Sequence, residues 1–116
     1  MADEIEKLTD RVLHFRDARN WKQFHKPKDL AISLSLEAGE VLEHFQWKSE
    51  TEIEEYVKTN KDEIADELVD VLSYVLIMAH DLDINLVDAQ EKKIKKNEKK
   101  YPVEKAAGNS AKYDKL

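Results

Sequence analysis

The sequence predicts an all-α fold: a four-helix-type bundle of about five helices with an irregular C-terminal tail. Three observations carry that prediction. The 116 residues include only two Gly and two Pro, too few turn formers for a sheet protein of this length. Charged residues make up 38% of the chain, and Leu, Glu, Lys and Ala are abundant, a balance that favours long helices. Apolar residues recur at spacings of three and four, the period of a helix with one buried face. With 41% hydrophobic residues the chain can fill one helical core and hardly two, so residues 1–116 are expected to form a single domain.

The first helix is expected over residues 3–19, where Ile5, Leu8, Val12, Phe15 and Arg19 repeat at helical spacing and Asp3 and Glu6 stand as a capping pair. Its apolar stripe should face the core. Pro27 cannot continue a helix and biases Lys26 away from the helical region, so Asn20 to Asp29 reads as a loop carrying Trp21, Phe24 and His25. Asp29 is the expected N-cap of a second helix from about Leu30 to Phe45, closed by Trp47. Ser49-Glu-Thr-Glu52 has the form of a capping box and opens a short third helix through Ile53, Tyr56 and Val57. Asn60 and Glu63 repeat that signal ahead of a fourth helix, from about Lys61 to Leu82. Its half from Val71 to Ala79 is apolar nearly all round, which predicts burial on several sides and a subunit interface. Asn85 caps a last helix over residues 86–100, Pro102 ends it, and residues 103–116 form the tail.

Several function classes drop out on composition. Without cysteine there is no disulfide framework, thiolate nucleophile or zinc-thiolate cluster. The N-terminus is charged where a signal peptide would be apolar, and no run approaches the roughly 18 apolar residues of a membrane span, so a cytoplasmic protein without membrane contact is expected. A net charge of −6 argues against a nucleic-acid coat but leaves room for a local basic pocket.

The chemistry points to four carboxylates. Glu37 and Glu40 lie three apart in an otherwise apolar helix, so their Cβ atoms are roughly 5–6 Å apart on one face and the charges repel. Glu67 and Asp70 repeat the pattern among Ile64, Leu68, Val71 and Leu72. Ser33, Glu37, Glu40, His44 and Trp47 share one polar stripe, and Glu63, Glu67, Asp70 and Tyr74 another. Taken singly, each acid is an ordinary helix surface charge. Taken together, in helices that pack, they need a cation between them, and an all-oxygen set suits Mg²⁺ or Mn²⁺ beside a phosphate-bearing substrate. A di-iron carboxylate bundle requires Glu-x-x-His pairs, and none of the four histidines has a Glu three residues before it. Glu43 and Glu63 lie near enough to support the main ligands. The lysines from Lys92 to Lys100 supply the opposite charge. Lys93, Asn97 and Lys100 share a helix face suited to phosphate oxygens, while Trp21, Phe24, His25, Trp47 and Tyr74 could form an aromatic box for a base.

These residues resemble a known family. Glu37-Ala-Gly-Glu40 followed by Phe45-Gln-Trp47, then Asp66-Glu67-Leu-Val-Asp70, and finally Lys93, Asn97 and Tyr101-Pro102 are similar to the MazG-like, all-α nucleotide pyrophosphohydrolases. Trp21-Lys-Gln-Phe-His25-Lys-Pro-Lys-Asp-Leu30 and Ser110-Ala-Lys-Tyr113 narrow the resemblance to the dCTP pyrophosphatase-like branch. It implies Mg²⁺-dependent hydrolysis of a nucleoside triphosphate, dCTP or a modified or noncanonical dNTP, to the monophosphate and pyrophosphate, cleansing the nucleotide pool. By the same resemblance Glu37, Glu40, Glu67 and Asp70 would hold Mg²⁺ and serve catalysis. Trp21, Trp47 and Tyr74 would border base and sugar, and Lys93, Asn97 and Tyr101 would face the phosphates or base. The implied assembly is a homo-oligomer, a tetramer built as a dimer of dimers. Relatives that prefer dCTP carry a His nine residues before the Trp matching Trp21, and here that position is Val12, so the base stays open. The competing classes are a noncatalytic helical interaction module, indifferent to Mg²⁺, and a nucleic-acid binder whose affinity would fall steeply with salt.

Overall fold

The computed structural model describes residues 3–116. Among them are six α-helices and no strand: α1 (Glu4–Ala18), α2 (Pro27–Glu43), α3 (Glu50–Thr59), α4 (Lys61–Asp81), α5 (Leu86–Lys100) and a single turn, α6 (Val103–Ala106). The chain divides into two compact units, Met1–Asp83 and Ile84–Leu116.

In the first unit α4 is the central helix, with α2, α1 and α3 all packed on it. The capping signals at Asp3 and Ser49 are realised. Asp3 accepts from the Glu6 backbone N–H, and Ser49 and Glu52 form the full reciprocal box that starts α3. Two other caps differ from expectation. α2 begins at Pro27 with Lys26 as N-cap, two residues ahead of Asp29, because proline's fixed φ suits the first helical position and its missing N–H costs nothing there. Asn60 makes no side-chain cap for α4 and instead donates from Nδ2 to the Tyr56 carbonyl, closing the end of α3.

The core is thin: Leu13, Leu30, Leu76, Ile77 and Ala79 are its buried apolar residues, joined by Val12, Tyr74 and Met78 at its edge. The α1 stripe is turned relative to expectation. Leu13 and Arg16 take the buried positions, while Leu8 and Phe15 remain 42% and 50% exposed and line a cavity with Val12. Arg16 is buried without isolation: its Nη1 donates to both Asp81 carboxylate oxygens and its Nε to Asp17. α2 and α4 leave further apolar side chains uncovered, Ile32 and Leu36 on one and Leu68 and Val69 on the other. Asn20 and Asp83 both turn the chain in the left-handed region, at φ 57° and 56°; short polar side chains tolerate that conformation best after glycine.

In the second unit Asn85 caps α5 as expected, accepting from the Asp88 N–H. The tail holds more structure than an irregular run: α6 follows Pro102, and a 3₁₀ turn over Tyr113–Lys115 brings Tyr113 edge-on to Tyr101 at 6.2 Å. Lys100 Nζ lies 4.9 Å from the centre of the Tyr113 ring, a cation–π contact that holds the tail to the end of α5.

Candidate functional site

A cavity of about 560 Å³ opens among α1, the aromatic loop, α2 and α4. Leu8, Val12, Phe15 and Ile77 form its apolar wall, and Trp21, His25, Tyr74, Glu37 and Asp70 meet on it. Local structure explains each placement. The left-handed turn at Asn20 ends α1 and leads into the 3₁₀ turn Lys22–Phe24, so Trp21 doubles back and packs edge-on against Phe15 at 5.7 Å. His25 follows and meets Tyr74 of α4 edge-on at 6.4 Å. Burial first, and then the Arg16 charge, lower the His25 pKa against an opposing pull from Asp81. The imidazole is therefore neutral at ordinary pH, and its Nδ1 is buried without a partner.

The carboxylates of α2 and α4 share one electrostatic neighbourhood. The Glu37 pKa is raised, most by burial, then by the adjoining Glu40 side chain and its charge, and then by the charges of Asp70 and Glu67. Asp70 is raised by burial and by the charges of Asp66, Glu40 and Glu67. Among the described residues no three His, Asp or Glu side chains converge on one point, so this is a cluster and not a closed cage. It is nonetheless suited to a hard divalent cation. Every donor is a carboxylate oxygen, and Glu37 Oε2 is buried with no hydrogen-bond donor against it.

Glu67 is engaged from a third direction. His44, at the C-terminal end of α2, contacts Glu67 Oε2 through Nε2, and its Nδ1 contacts the Tyr56 hydroxyl of α3. Of the other expected site residues, Trp47 stands 85% exposed beyond the end of α2 and does not line the cavity. Lys93, Asn97, Lys100 and Tyr101 all belong to the second unit, on α5 and at its end, where Asn97 is half-buried and its carbonyl accepts the Tyr101 N–H.

Sequence reading missed two members of this region. Arg16 sits one residue from the expected stripe, so no spacing marks it for burial. His44 lies on the acidic stripe, but neither Tyr56 nor Glu67 is a helical neighbour of it, so its spacing names no partner.

Comparison with known proteins adds to this geometry. A family model described as MazG-like matches residues 32–116. Mouse dCTP pyrophosphatase 1 is 39% identical over 110 residues, covering 91% of this chain and 65% of that protein. The human protein of the same name is 36% identical over the same shares. The chain thus spans about two thirds of the length of these curated relatives, 65%. The crystal structure of a pyrophosphatase from Archaeoglobus fulgidus DSM 4304 superposes with a TM-score of 0.81 at 42% identity, over 88% of this chain and 95% of that one.

Proposed function

Because the chain belongs to the MazG-like family, we propose that it is a nucleoside triphosphate pyrophosphohydrolase, cleaving dCTP or a modified dNTP to the monophosphate and pyrophosphate. One observation carries this reading: Glu37 and Asp70 share a single cavity with Trp21, His25 and Tyr74. A carboxylate wall suited to a cation and an aromatic wall suited to a nucleobase are together what a nucleotide hydrolase needs. The names of the relatives, dCTP pyrophosphatase 1 and pyrophosphatase, agree.

In this mechanism Glu37, Glu40, Glu67 and Asp70 would hold a divalent cation, Mg²⁺ with Mn²⁺ as a substitute. When bound, such a cation would supply charge neutralisation for phosphate oxygens and a more nucleophilic water. Trp21 and Tyr74 flank the base and hold the substrate in register, with the apolar α1 wall excluding bulk water. A carboxylate of the cluster accepts the proton of the attacking water, and no covalent intermediate is required. Lys93, Asn97, Lys100 and Tyr101 are assigned to phosphate oxygens on charge and spacing alone, and Trp47 to the base or sugar on the same footing. A homo-oligomer, built as a dimer of dimers, accounts for the uncovered Leu36 and Leu68, 66% and 53% exposed, better than an isolated subunit does. Among the described residues no helix is long and apolar enough to cross a membrane; the substrate itself argues for a cytoplasmic setting.

The test is pyrophosphate release from a panel of ordinary and modified nucleoside triphosphates, with Mg²⁺ and with excess EDTA. Cation-dependent release favouring one base supports the reading. No release from any triphosphate overturns it.

A further inference from the structure

His44 links three helices through its two ring nitrogens. It sits at the C-terminal end of α2, contacts the Tyr56 hydroxyl of α3 through Nδ1 and contacts Glu67 Oε2 of α4 through Nε2. Its side chain is only 13% exposed and that of Glu67 25%, so the contact is sheltered and lacks the freedom of a surface pair. An ionised carboxylate can only accept, so Nε2 donates to Glu67; in a neutral imidazole Nδ1 is then the acceptor, and the Tyr56 hydroxyl donates to it. Phe45 and Lys48 tighten the arrangement: the Phe45 ring packs edge-on to Tyr56 at 6.5 Å, and Lys48 Nζ lies 4.2 Å from the Tyr56 ring centre. The phenol is thus held on more than one side before it orients the imidazole.

We propose that His44 is a positioning residue for the cation site: it pins one oxygen of Glu67, with Tyr56 orienting the imidazole, so that the carboxylate presents its other oxygen to the cation in a fixed direction. The inference rests on the reading of Glu67 as a cation ligand. Carboxylate ligands held by outer hydrogen bonds lose 10- to 100-fold in metal affinity when that support is removed. A carboxylate among like-charged neighbours has particular need of it, because repulsion from Glu37 and Asp70 works against a fixed orientation. The consequence is that α3, which supplies none of the four carboxylates, governs cation affinity through the Tyr56 hydroxyl.

The experiment is a titration of Mn²⁺ into the full chain without nucleotide, read by electron paramagnetic resonance, on the wild type, His44→Ala, His44→Gln and Tyr56→Phe. The proposal expects about a tenfold weaker Mn²⁺ affinity in His44→Ala and a smaller loss in Tyr56→Phe. His44→Gln keeps an amide donor in reach of Glu67 and should recover most of the loss. Echo-modulation spectra of the wild type should show no nitrogen coupled to the Mn²⁺. Unchanged affinity in both His44→Ala and Tyr56→Phe overturns the proposal, as does a coupled nitrogen, which would make His44 a ligand itself, or a wild type that binds no Mn²⁺. If His44→Ala loses its helical circular dichroism, the milder His44→Gln and Tyr56→Phe carry the comparison. Mn²⁺ binding with the expected order of variants, but no hydrolysis of any triphosphate, sinks the pyrophosphohydrolase reading and leaves this one standing.

Discussion

Arg16 Nη1 lies 3.2 Å from Asp81 Oδ2, joining the end of α1 to the end of α4 across 65 positions of sequence. The Arg16 side chain is only 4% exposed and that of Asp81 19%, so neither charge has water as a ready alternative. Removing Asp81 leaves the buried guanidinium with Asp17 alone. Asp81→Asn should therefore cost about 2–3 kcal/mol, below the full penalty for a wholly buried pair, as measured by denaturant unfolding.

The same pair sets an acid limit. Burial pushes the Asp81 carboxyl up, but hydrogen bonds from His80 and Arg16 and their charges outweigh it and hold the pKa below the usual aspartate range. The unfolded chain then takes up this proton first as pH falls. The stabilisation is complete above the unfolded Asp value of about 3.9 and is lost as pH drops through the lower folded value. Wild-type protein should lose this share of stability in acid, while Asp81→Asn, which never had it, should show a flatter profile in unfolding measured from neutral pH downward.

Glu37 works in the opposite sense. Its folded pKa is raised, so it contributes stability below the unfolded Glu value of about 4.3 and loses it as pH rises through the folded value. In EDTA, Glu37→Gln should melt at a higher temperature than wild type at neutral pH, because a repelled charge is gone. Its hydrolytic rate should fall by about 100-fold or more, the scale seen when one group stabilising reaction charge is removed. Calorimetry and pyrophosphate release together separate the two effects; a variant with lower melting temperature and full activity would contradict both.

Gly39 interrupts α2, and a Cβ built there meets nothing within 4 Å. Gly39→Ala should therefore stabilise the helix by about 0.5–1 kcal/mol in a dissociated subunit. Gly39 lies on one helical face with Ile32 and Leu36, both largely uncovered. If a second copy packs on that face, the added methyl should also shift sedimentation toward smaller species. A substitution that raises subunit stability and weakens assembly is the expected signature.

Leu30 is 1% exposed in a core of few members. Leu30→Ala should cost about 2–5 kcal/mol, whereas Leu36→Ala, at a position 66% exposed, should leave unfolding of the dissociated subunit almost unchanged. Equal losses at the two positions would mean that the core has been wrongly located.

Much of this fold was legible because it is locally encoded. Asp3 and Ser49 cap their helices through partners three residues away, and α4 is apolar over the stretch that supplies Leu76, Ile77 and Ala79 to the core. Errors arose where two local signals competed, as at Pro27 and Asp29, where the proline opens the helix before the aspartate can cap it. Glu37 and Asp70 stand out in the sequence because repulsive acids on an apolar helix conflict with packing, and both line the cavity. Arg16 with Asp81, and His44 with Glu67, were not readable: those pairs span 65 and 23 positions, and no periodicity reports a partner on another helix. Trp47 illustrates the limit of side-chain type as a guide. Its place on the polar stripe suggests a wall of the aromatic box, yet it is 85% exposed and does not line the cavity.

The turns at Asn20 and Asp83 bear on a different property. Both adopt left-handed backbone without glycine, at φ 57° and 56°, in a chain with only two glycines. Asn and Asp pay a local penalty for that conformation, but they restrict the denatured ensemble, so less disorder is surrendered when the chain collapses. Replacement by glycine would relax the native loop and widen the denatured ensemble by comparable amounts, about 1 kcal/mol each way. The hinges between helices are thus close to neutral ground for engineering, and efforts to harden this scaffold against heat are better spent on the helix faces than on the loops.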